Sequence, residues 1–266
     1  MKFLISNDDG VHAPGLRALY EALSKIGSVT VVAPDTEQSG CASALNISQP
    51  LYTQTLESGF IAVNGTPADC IYLALQQLYC ATDFDCVITG INSGANLGQD
   101  VLFSGTFGAA LSAQLFGVPA IATSLVGASH SRADQYSRYR MAAAQIVALI
   151  TETSILKTIK QMPYHVLNVN IPDVASSADI KGRKVTSLGH SSIANPVHCM
   201  LDPRGREAYW LCLRKVPYVR STAMILATSA NDTDIQAIAD GFISLSPVRI
   251  HHTPIDALAK LSALTL

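Results

Sequence analysis

The 266-residue sequence predicts a three-layer α/β/α sandwich built on a mostly parallel β-sheet, followed by a β-rich C-terminal extension. Short apolar runs with the length of strands alternate with helical patterns over the first two thirds of the chain. These runs are apolar at nearly every position, which is typical of strands that helices cover on both faces. Alternation of this kind favours a parallel sheet between two layers of helices.

The predicted elements follow one another in the order that such a sheet requires. Strands are expected at residues 3–6, 29–33, 60–63, 86–89, 120–124 and 165–171, and helices at 14–25, 67–79, 106–116 and 135–153. The start of the second helix is marked most clearly. Thr66 can cap it, Pro67 suits its first position, and Asp69 stands three residues after the cap.

The last third of the chain has a different, β-rich pattern. Strands are predicted at 184–188, 208–213 and 242–245, helices at 234–240 and 254–264, and a long polar stretch at 189–207. Because no linker or internal repeat is visible, we expect one domain over residues 1–266. Its Rossmann-like core would cover about 1–180, and the β-rich extension would cover about 181–266.

The composition limits the possible partners. Charged residues make up only 14% of the chain and hydrophobic residues 48%, so a monomer would have little charge with which to cover its surface. We therefore expect a homo-oligomer. The net charge of −2, without a densely basic stretch, argues against binding of long nucleic acid or of an anionic membrane.

The cysteines and the N-terminal residues indicate the compartment. The six cysteines show no CxxC pairing and several lie in apolar runs, which favours buried, reduced thiols. The first residues lack the basic and apolar regions of a secretory signal, and no apolar stretch is long enough to span a bilayer. We therefore expect a cytoplasmic protein.

Polar clusters follow the strands at the edge where a parallel sheet binds ligands, at residues 7–10, 38–40, 90–98 and 103–106. Asp8 and Asp9 supply hard carboxylate ligands, and Ser39 and Asn92 could complete an oxygen-rich shell suited to Mg²⁺ or Mn²⁺. Adjacent carboxylates need a cation or strong donors if both are to stay ionised. Alternatively, Asp8 and Asp9 could form a turn or cap the helix that begins near Pro14.

A candidate anion site follows in the chain at Ser104-Gly105-Thr106. These small residues precede a helix, where free N–H groups and the positive end of the helix dipole attract phosphate. A plain helix cap is the alternative. His12 could contact a phosphate or a leaving group, or could be an exposed loop histidine. A hard-metal site and an anion site at one sheet edge favour phosphoryl transfer to water.

Five ordered motifs in this sequence resemble those of the SurE family of survival-protein nucleotidases. They are Asn7-Asp8-Asp9-Gly10 with Ala13-Pro14-Gly15, then Gln38-Ser39-Gly40, Asn64-Gly65-Thr66-Pro67-Ala68-Asp69-Cys70, residues 90–98, and Ser104-Gly105-Thr106. Further matches are Asn168-Val169-Asn170-Ile171-Pro172, Thr233-Asp234 and Gly241-Phe242-Ile243-Ser244. The resemblance therefore covers essentially the whole chain.

The resemblance implies a 5′/3′-nucleotidase that acts on nucleoside monophosphates, with a substrate range that could include short polyphosphate. It implies one divalent cation per subunit, Mn²⁺, Mg²⁺ or Co²⁺, bound by Asp8, Asp9, Ser39 and Asn92. It also implies dimers or tetramers that exchange C-terminal segments between subunits, so the extension over about 181–266 would serve oligomerisation. The low charge content agrees with such an assembly.

The expected mechanism is a direct attack of metal-bound water on phosphorus. The phosphate oxygens would be held by Asn96, Ser104, Gly105 and Thr106. One of the two aspartates would act as the base, and the sequence does not distinguish them. An aspartyl-phosphate intermediate is an alternative, although haloacid-dehalogenase-like phosphatases place their acids as Asp-x-Asp. A nucleotide sensor without turnover is another, whereas a dinucleotide dehydrogenase is disfavoured because no GxGxxG follows the first strand.

The sequence departs from the family pattern at a few positions. Phe103 stands where a Tyr is common, Ser112 where a Glu is usual, and Thr36-Glu37 before Gln38 is less typical. None of these departures removes an expected metal ligand. They concern substrate preference and the packing around the anion site.

Overall fold

The computed structural model of the protein describes residues 1–127, 132–190, 197–211 and 232–249. Within these residues it confirms the predicted three-layer sandwich. The predicted closing helix at 254–264 lies outside them. No helix of the described ranges combines the length and the apolar character that crossing a membrane requires.

The strands are β1 (Lys2–Ser6), β2 (Ser28–Pro34), β3 (Thr53–Thr55), β4 (Ile61–Val63), β5 (Cys86–Ser93), β6 (Ala120–Val126), β7 (His165–Pro172), β8 (Arg183–Val185), β9 (Val197–Leu201), β10 (Glu207–Leu211) and β11 (Ile243–Arg249). The α-helices are α1 (Pro14–Leu23), α2 (Pro67–Leu73), α3 (Gly105–Leu115), α4 (Arg132–Glu152), α5 (Ile155–Lys160) and α6 (Asp234–Ala239). A π-helical turn, Ala74–Leu78, continues α2, and short 3₁₀ segments cover Gly98–Leu102 and Ser177–Asp179.

Nine of the described strands form one sheet in the order β3-β4-β2-β1-β5-β6-β7-β11-β8. The six strands from β4 to β7 in this order are parallel. β3 runs antiparallel to β4 and β11 runs antiparallel to β7, whereas β8 pairs parallel with β11. Helices α1 and α4 cover one face, with Leu16, Leu19 and Tyr139 fully buried, and α2 and α3 cover the other with Ile71 and Phe107. The sheet is therefore packed between two apolar layers, one on each face. The carboxyl ends of its parallel strands lie together at one edge of these layers.

Local sequence explains how the two helices nearest that edge begin. In α1, Gly15 permits a close approach to β5, because a Cβ there would lie 2.1 Å from the carbonyl oxygen of Ile91. In α2 the predicted capping box is confirmed. The Thr66 hydroxyl oxygen accepts from Asp69 N at 3.1 Å, and Asp69 Oδ2 accepts from Thr66 N at 2.9 Å.

Several boundaries differ from the prediction. β5 continues to Ser93, so the prediction of a loop from residue 90 was wrong over 90–93; after a register shift, Asn92 still pairs with β6. The polar stretch 189–207 contains β9, which was missed because all five of its residues are exposed and only pairing with β10 defines it. β3 and α5 were not predicted. Two strands of the predicted extension, β8 and β11, belong to the main sheet. The sheet therefore continues beyond residue 180 in the chain.

Candidate active site

The two adjacent aspartates lie at the carboxyl end of β1, in the middle of the sheet. A tight turn holds them there, since the Asn7 side chain donates to the Gly10 carbonyl oxygen at 3.0 Å and Gly10 has a φ of +97°. Helix α1 begins later, with Ala13 as its N-cap and no side-chain cap. The alternative in which Asp8 and Asp9 cap this helix is therefore wrong.

Asp8 is almost completely buried and is held by the start of α3. The Thr106 hydroxyl donates a hydrogen bond to Asp8 Oδ1, and Gln38 N donates to the backbone oxygen of Asp8 at 2.7 Å. Burial raises the pKa of the Asp8 carboxyl, although the hydrogen bond from Thr106 lowers it. The carboxylate is thus fixed in position while its negative charge is poorly solvated.

Asp9 contacts the end of β5. The backbone N–H of Ser93 donates to Asp9 Oδ2 at 3.1 Å. Burial raises the pKa of Asp9 to about 6, and the negative charge of Asp8 contributes to the increase. The protein alone therefore disfavours the ionised pair, whereas a divalent cation would stabilise it, so these residues fit a cation site.

The other two predicted metal ligands directly neighbour residues that contact the aspartates. Ser39 is exposed and donates to Glu37 Oε1 at 2.9 Å. Asn92 Nδ2 donates to the Gly94 carbonyl oxygen at 3.0 Å, so Oδ1 is the atom of Asn92 suited to a cation. The set is composed of oxygen ligands, as Mg²⁺ and Mn²⁺ prefer. Within the described ranges, no group of three or more His, Cys, Asp or Glu side chains could hold a metal ion, so a cation at this edge depends on Ser and Asn oxygens as well as on carboxylates.

Glu37 is a residue of this site that the sequence reasoning did not single out. Its negative charge raises the pKa of both Asp8 and Asp9, so a third carboxylate lies near the pair. The only signal in the sequence was its untypical position before Gln38. Its carboxylate accepts the hydrogen bond of the Ser39 hydroxyl and so orients this predicted ligand.

The start of α3 lies directly against Asp8. Ser104 is the N-cap of the helix and its hydroxyl oxygen accepts from Phe107 N at 3.0 Å, which confirms the capping alternative. A Cβ added to Gly105 would lie 2.9 Å from Asp8 Cβ, so the close approach requires glycine. Because the Thr106 hydroxyl binds Asp8, the first-turn N–H groups are the ones suited to an anion. Phosphate binding by these residues stays a prediction.

Asn96 lies in a buried polar cluster beneath the same edge. Its N–H donates to Asn170 Oδ1 at 2.9 Å and its side-chain Nδ2 donates to Ser124 Oγ at 2.9 Å. The side chains of Asn168 and Asn170 both donate to its carbonyl oxygen. The fold therefore fixes Asn96 firmly, and its predicted contact with phosphate is not tested by this geometry.

Comparisons with known proteins show which family the chain belongs to. The family model "Survival protein SurE" matches residues 3–195. The chain belongs to the SurE family. A protein of Psychrobacter cryohalolentis named 5′-nucleotidase SurE is 65% identical over 100% of both chains, and one of the same name from Acinetobacter baylyi is 42% identical over 98% of each. The crystal structure of the SurE protein from Aquifex aeolicus has a TM-score of 0.78 and 31% identity, with 100% of both chains covered.

The C-terminal part of this SurE chain is tied to the loop after β5 by Asp234. Gly98 N donates to Asp234 Oδ2 at 2.7 Å, and Gly189 N donates to Asp234 Oδ1 at 2.7 Å. Burial raises the pKa of this carboxyl, while the backbone donors lower it. The sequence marked Asp234 only as part of a matching motif, because its partner lies 136 residues away.

The structure places two residues that depart from the SurE pattern, Phe103 and Ser112, and also His12. Phe103 is 51% exposed just before the cap of α3. Ser112 is buried in that helix, where its hydroxyl donates to the Gly108 carbonyl oxygen at 3.0 Å. His12 is exposed in the loop before α1.

Proposed function

We propose that this chain is a metal-dependent 5′/3′-nucleotidase, which hydrolyses nucleoside 5′- and 3′-monophosphates to nucleoside and phosphate. The observation that supports this most is the placement of Asp8, the first of two adjacent carboxylates, against the first turn of α3. A cation held by the carboxylates and a phosphate held by the helix start would then be neighbours. The relatives named 5′-nucleotidase SurE support a nucleotide as the substrate.

Asp8, Asp9, Ser39 and Asn92 would hold one divalent cation per subunit, which could be Mn²⁺, Mg²⁺ or Co²⁺. When bound, such a cation lowers the pKa of water and offsets the negative charge of the phosphate. The raised pKa values of both aspartates support this role, because a buried and unneutralised pair of charges is unfavourable.

The protein's own residues would bind the phosphate and transfer the proton. Asn96 and the first turn of α3, residues 104–106, bind the phosphate oxygens. As the water oxygen bonds to phosphorus, Asp9 accepts the proton of the water. That proton then passes to the ribose oxygen as the bond between this oxygen and phosphorus breaks. We assign the proton to Asp9 because Asp8 is more deeply buried and its Oδ1 is already bound by Thr106.

We also propose that the active form is a dimer or tetramer in which the extension contacts a second copy of the chain. Exposed apolar side chains on β9 and β10 support this, as does the charged fraction of 14%. The free cysteines among the described residues support a reducing compartment such as the cytoplasm.

The direct test is phosphate release from AMP with Mn²⁺ and, separately, with EDTA. We expect release with Mn²⁺ and none with EDTA. Asp8→Asn should lower kcat/KM at least about 1000-fold, because one carboxylate ligand is lost. The matched control is Asp83→Asn, which changes an exposed carboxylate before β5 and should leave activity unchanged.

Other outcomes would contradict the proposal in distinct ways. Nucleotide binding without phosphate release would indicate a sensor, and a trapped phosphoenzyme would indicate an aspartyl-phosphate mechanism. Full metal-dependent activity of Asp8→Asn would remove this residue from the site. A panel of 5′-AMP, 3′-AMP and short polyphosphate, each with Mn²⁺, Mg²⁺ and Co²⁺, then defines the substrate range and the preferred metal.

A further inference from the structure

Tyr139 is a buried tyrosine that none of the site motifs includes. It lies on α4 with 1% of its surface exposed, and it is the largest fully buried side chain of the described residues. Its ring packs at the start of α1, since a Cβ at Gly15 would lie 3.1 Å from Tyr139 Cε1. The same Cβ would lie 2.1 Å from the carbonyl oxygen of Ile91 in β5. Helices α1 and α4 and strand β5 therefore meet around this ring.

The polar end of Tyr139 is directed to the end of β5. The side chains of Ser93 and Gln135 are polar neighbours of its phenol oxygen, and the negative charges of Asp9 and Asp173 act on it. Burial, reinforced by these charges, raises the pKa of the phenol, which keeps it protonated and neutral. Ser93 in turn donates its backbone N–H to Asp9 Oδ2 at 3.1 Å. Two contacts thus connect the phenol to Asp9.

The neighbouring residue on α4 fixes this part of the helix. Arg138 Nη1 donates to Asp173 Oδ1 at 2.9 Å and also to the carbonyl oxygen of Val174, in the loop after β7. Arg138 is partly buried and the Asp173 side chain is 7% exposed, so this ion pair is shielded from solvent. The ring of Tyr139 is therefore held from the helix side and has little freedom to move away from Ser93.

We propose that Tyr139 is a positioning residue of the metal site, which acts through Ser93 to orient Asp9. A hydrogen bond between its phenol and the Ser93 side chain would hold the end of β5, where Asn92 and Ser93 are neighbours. It would thereby fix Asn92, a proposed ligand, and Ser93, the hydrogen-bond donor to Asp9, at the same time. The proposal rests on the proposed function, because it assigns Asp9 and Asn92 to the cation.

The test compares Tyr139→Phe with Tyr136→Phe. Each variant removes one hydroxyl from α4, and the control ring at 136 lies under the Arg17 guanidinium, 5.7 Å away, on the side of α1. Binding of Mn²⁺ to the metal-free protein is measured by calorimetry, without turnover. We expect Tyr139→Phe to raise the Mn²⁺ Kd about 3- to 10-fold, the range of one hydrogen bond. Its kcat for AMP at saturating Mn²⁺ should fall while KM changes less than about twofold.

A second comparison separates positioning from general packing. Ser93→Ala should raise the Mn²⁺ Kd by a similar factor, and the double variant Tyr139→Phe/Ser93→Ala should add little, because both changes break the same connection. Equal Mn²⁺ affinity of Tyr139→Phe and wild type would overturn the inference, and so would fully additive effects of the two substitutions. Failure of the wild type to release phosphate from AMP with Mn²⁺ would instead overturn the proposed function.

Discussion

The site edge (Asp8, Asp9, Asn92 and the first turn of α3) and the β9–β10 hairpin depart from the usual distribution of residues in opposite directions. At the site edge, carboxylates are buried to the point that the pKa of Asp9 rises to about 6. In the hairpin, Leu201, Tyr209 and Leu211 are each more than 60% exposed. A buried charge and an exposed apolar surface are both unfavourable for an isolated chain. The two regions therefore support two of our proposals, that an ion binds at the site edge and that a second copy of the chain binds at the hairpin.

The largest effect that distinguishes the two regions is expected from an added methyl group. In Gly105→Ala the new Cβ would lie 2.8 Å from Cys41 Sγ and 2.9 Å from Asp8 Cβ, so Asp8 or α3 must shift. We expect kcat/KM for AMP to fall at least about 100-fold, because small displacements at a catalytic site are costly.

The hairpin supplies the control for this substitution. In Gly205→Ala nothing lies within 4 Å of the new Cβ, but the φ of +76° is unfavourable for alanine. The free energy of unfolding should be about 1 kcal/mol lower than in wild type, and the activity should be unchanged. If Gly105→Ala and Gly205→Ala lost the same activity, close packing at the start of α3 would not be what catalysis requires.

The next effect concerns pH and the metal-free protein. Because the pKa of Asp9 is raised from 3.8 to about 6, the folded state binds the proton more tightly than the unfolded state does. Asp9 therefore lowers stability progressively as pH rises from about 4 to about 6, by about 2 kcal/mol after an allowance for its partial exposure.

The measurement is urea unfolding of wild type and Asp9→Asn in EDTA between pH 4 and 7. The variant should gain stability relative to wild type across this range, since asparagine does not titrate. Saturating Mn²⁺ should remove the advantage, because the cation stabilises the ionised carboxylate. If the free energies of unfolding of wild type and Asp9→Asn in EDTA changed with pH in the same way, the ionised form of Asp9 would not be destabilised by burial.

The smallest effect on the subunit itself is expected in the hairpin. Leu211 is 77% exposed, so Leu211→Asp should change the free energy of unfolding of a subunit by no more than about 0.5 kcal/mol. The same change should produce a smaller assembly in light-scattering measurements at equal concentration, since a charge would be buried at the contact. Val185→Asp, at a β8 position that is 63% exposed, is the matched control and should keep the wild-type assembly. An unchanged mass for Leu211→Asp would contradict a role of the hairpin in assembly.

The contrast between the two regions also shows where prediction from sequence succeeds. Strands at the centre of the sheet were found because burial on both faces makes most of their positions apolar, as in β1, β6 and β7. β9 was missed because none of its five residues is buried, so it carries no such pattern. The end of β5 was taken for a loop because Asn92 and Ser93 are polar, although both still pair with β6.

The sequence by itself determined the sandwich, the capped helices and the motif set with Asp8 and Asp9 at a strand end, because periodicity, caps and motifs are local signals. Only the tertiary structure decided what each aspartate contacts. Thr106 binds Asp8 from 98 residues away in the chain, and Ser93 binds Asp9 from 84 residues away. Such contacts depend on strand order and on how helices pack across the sheet, and no local pattern in the chain encodes which distant residue will arrive there.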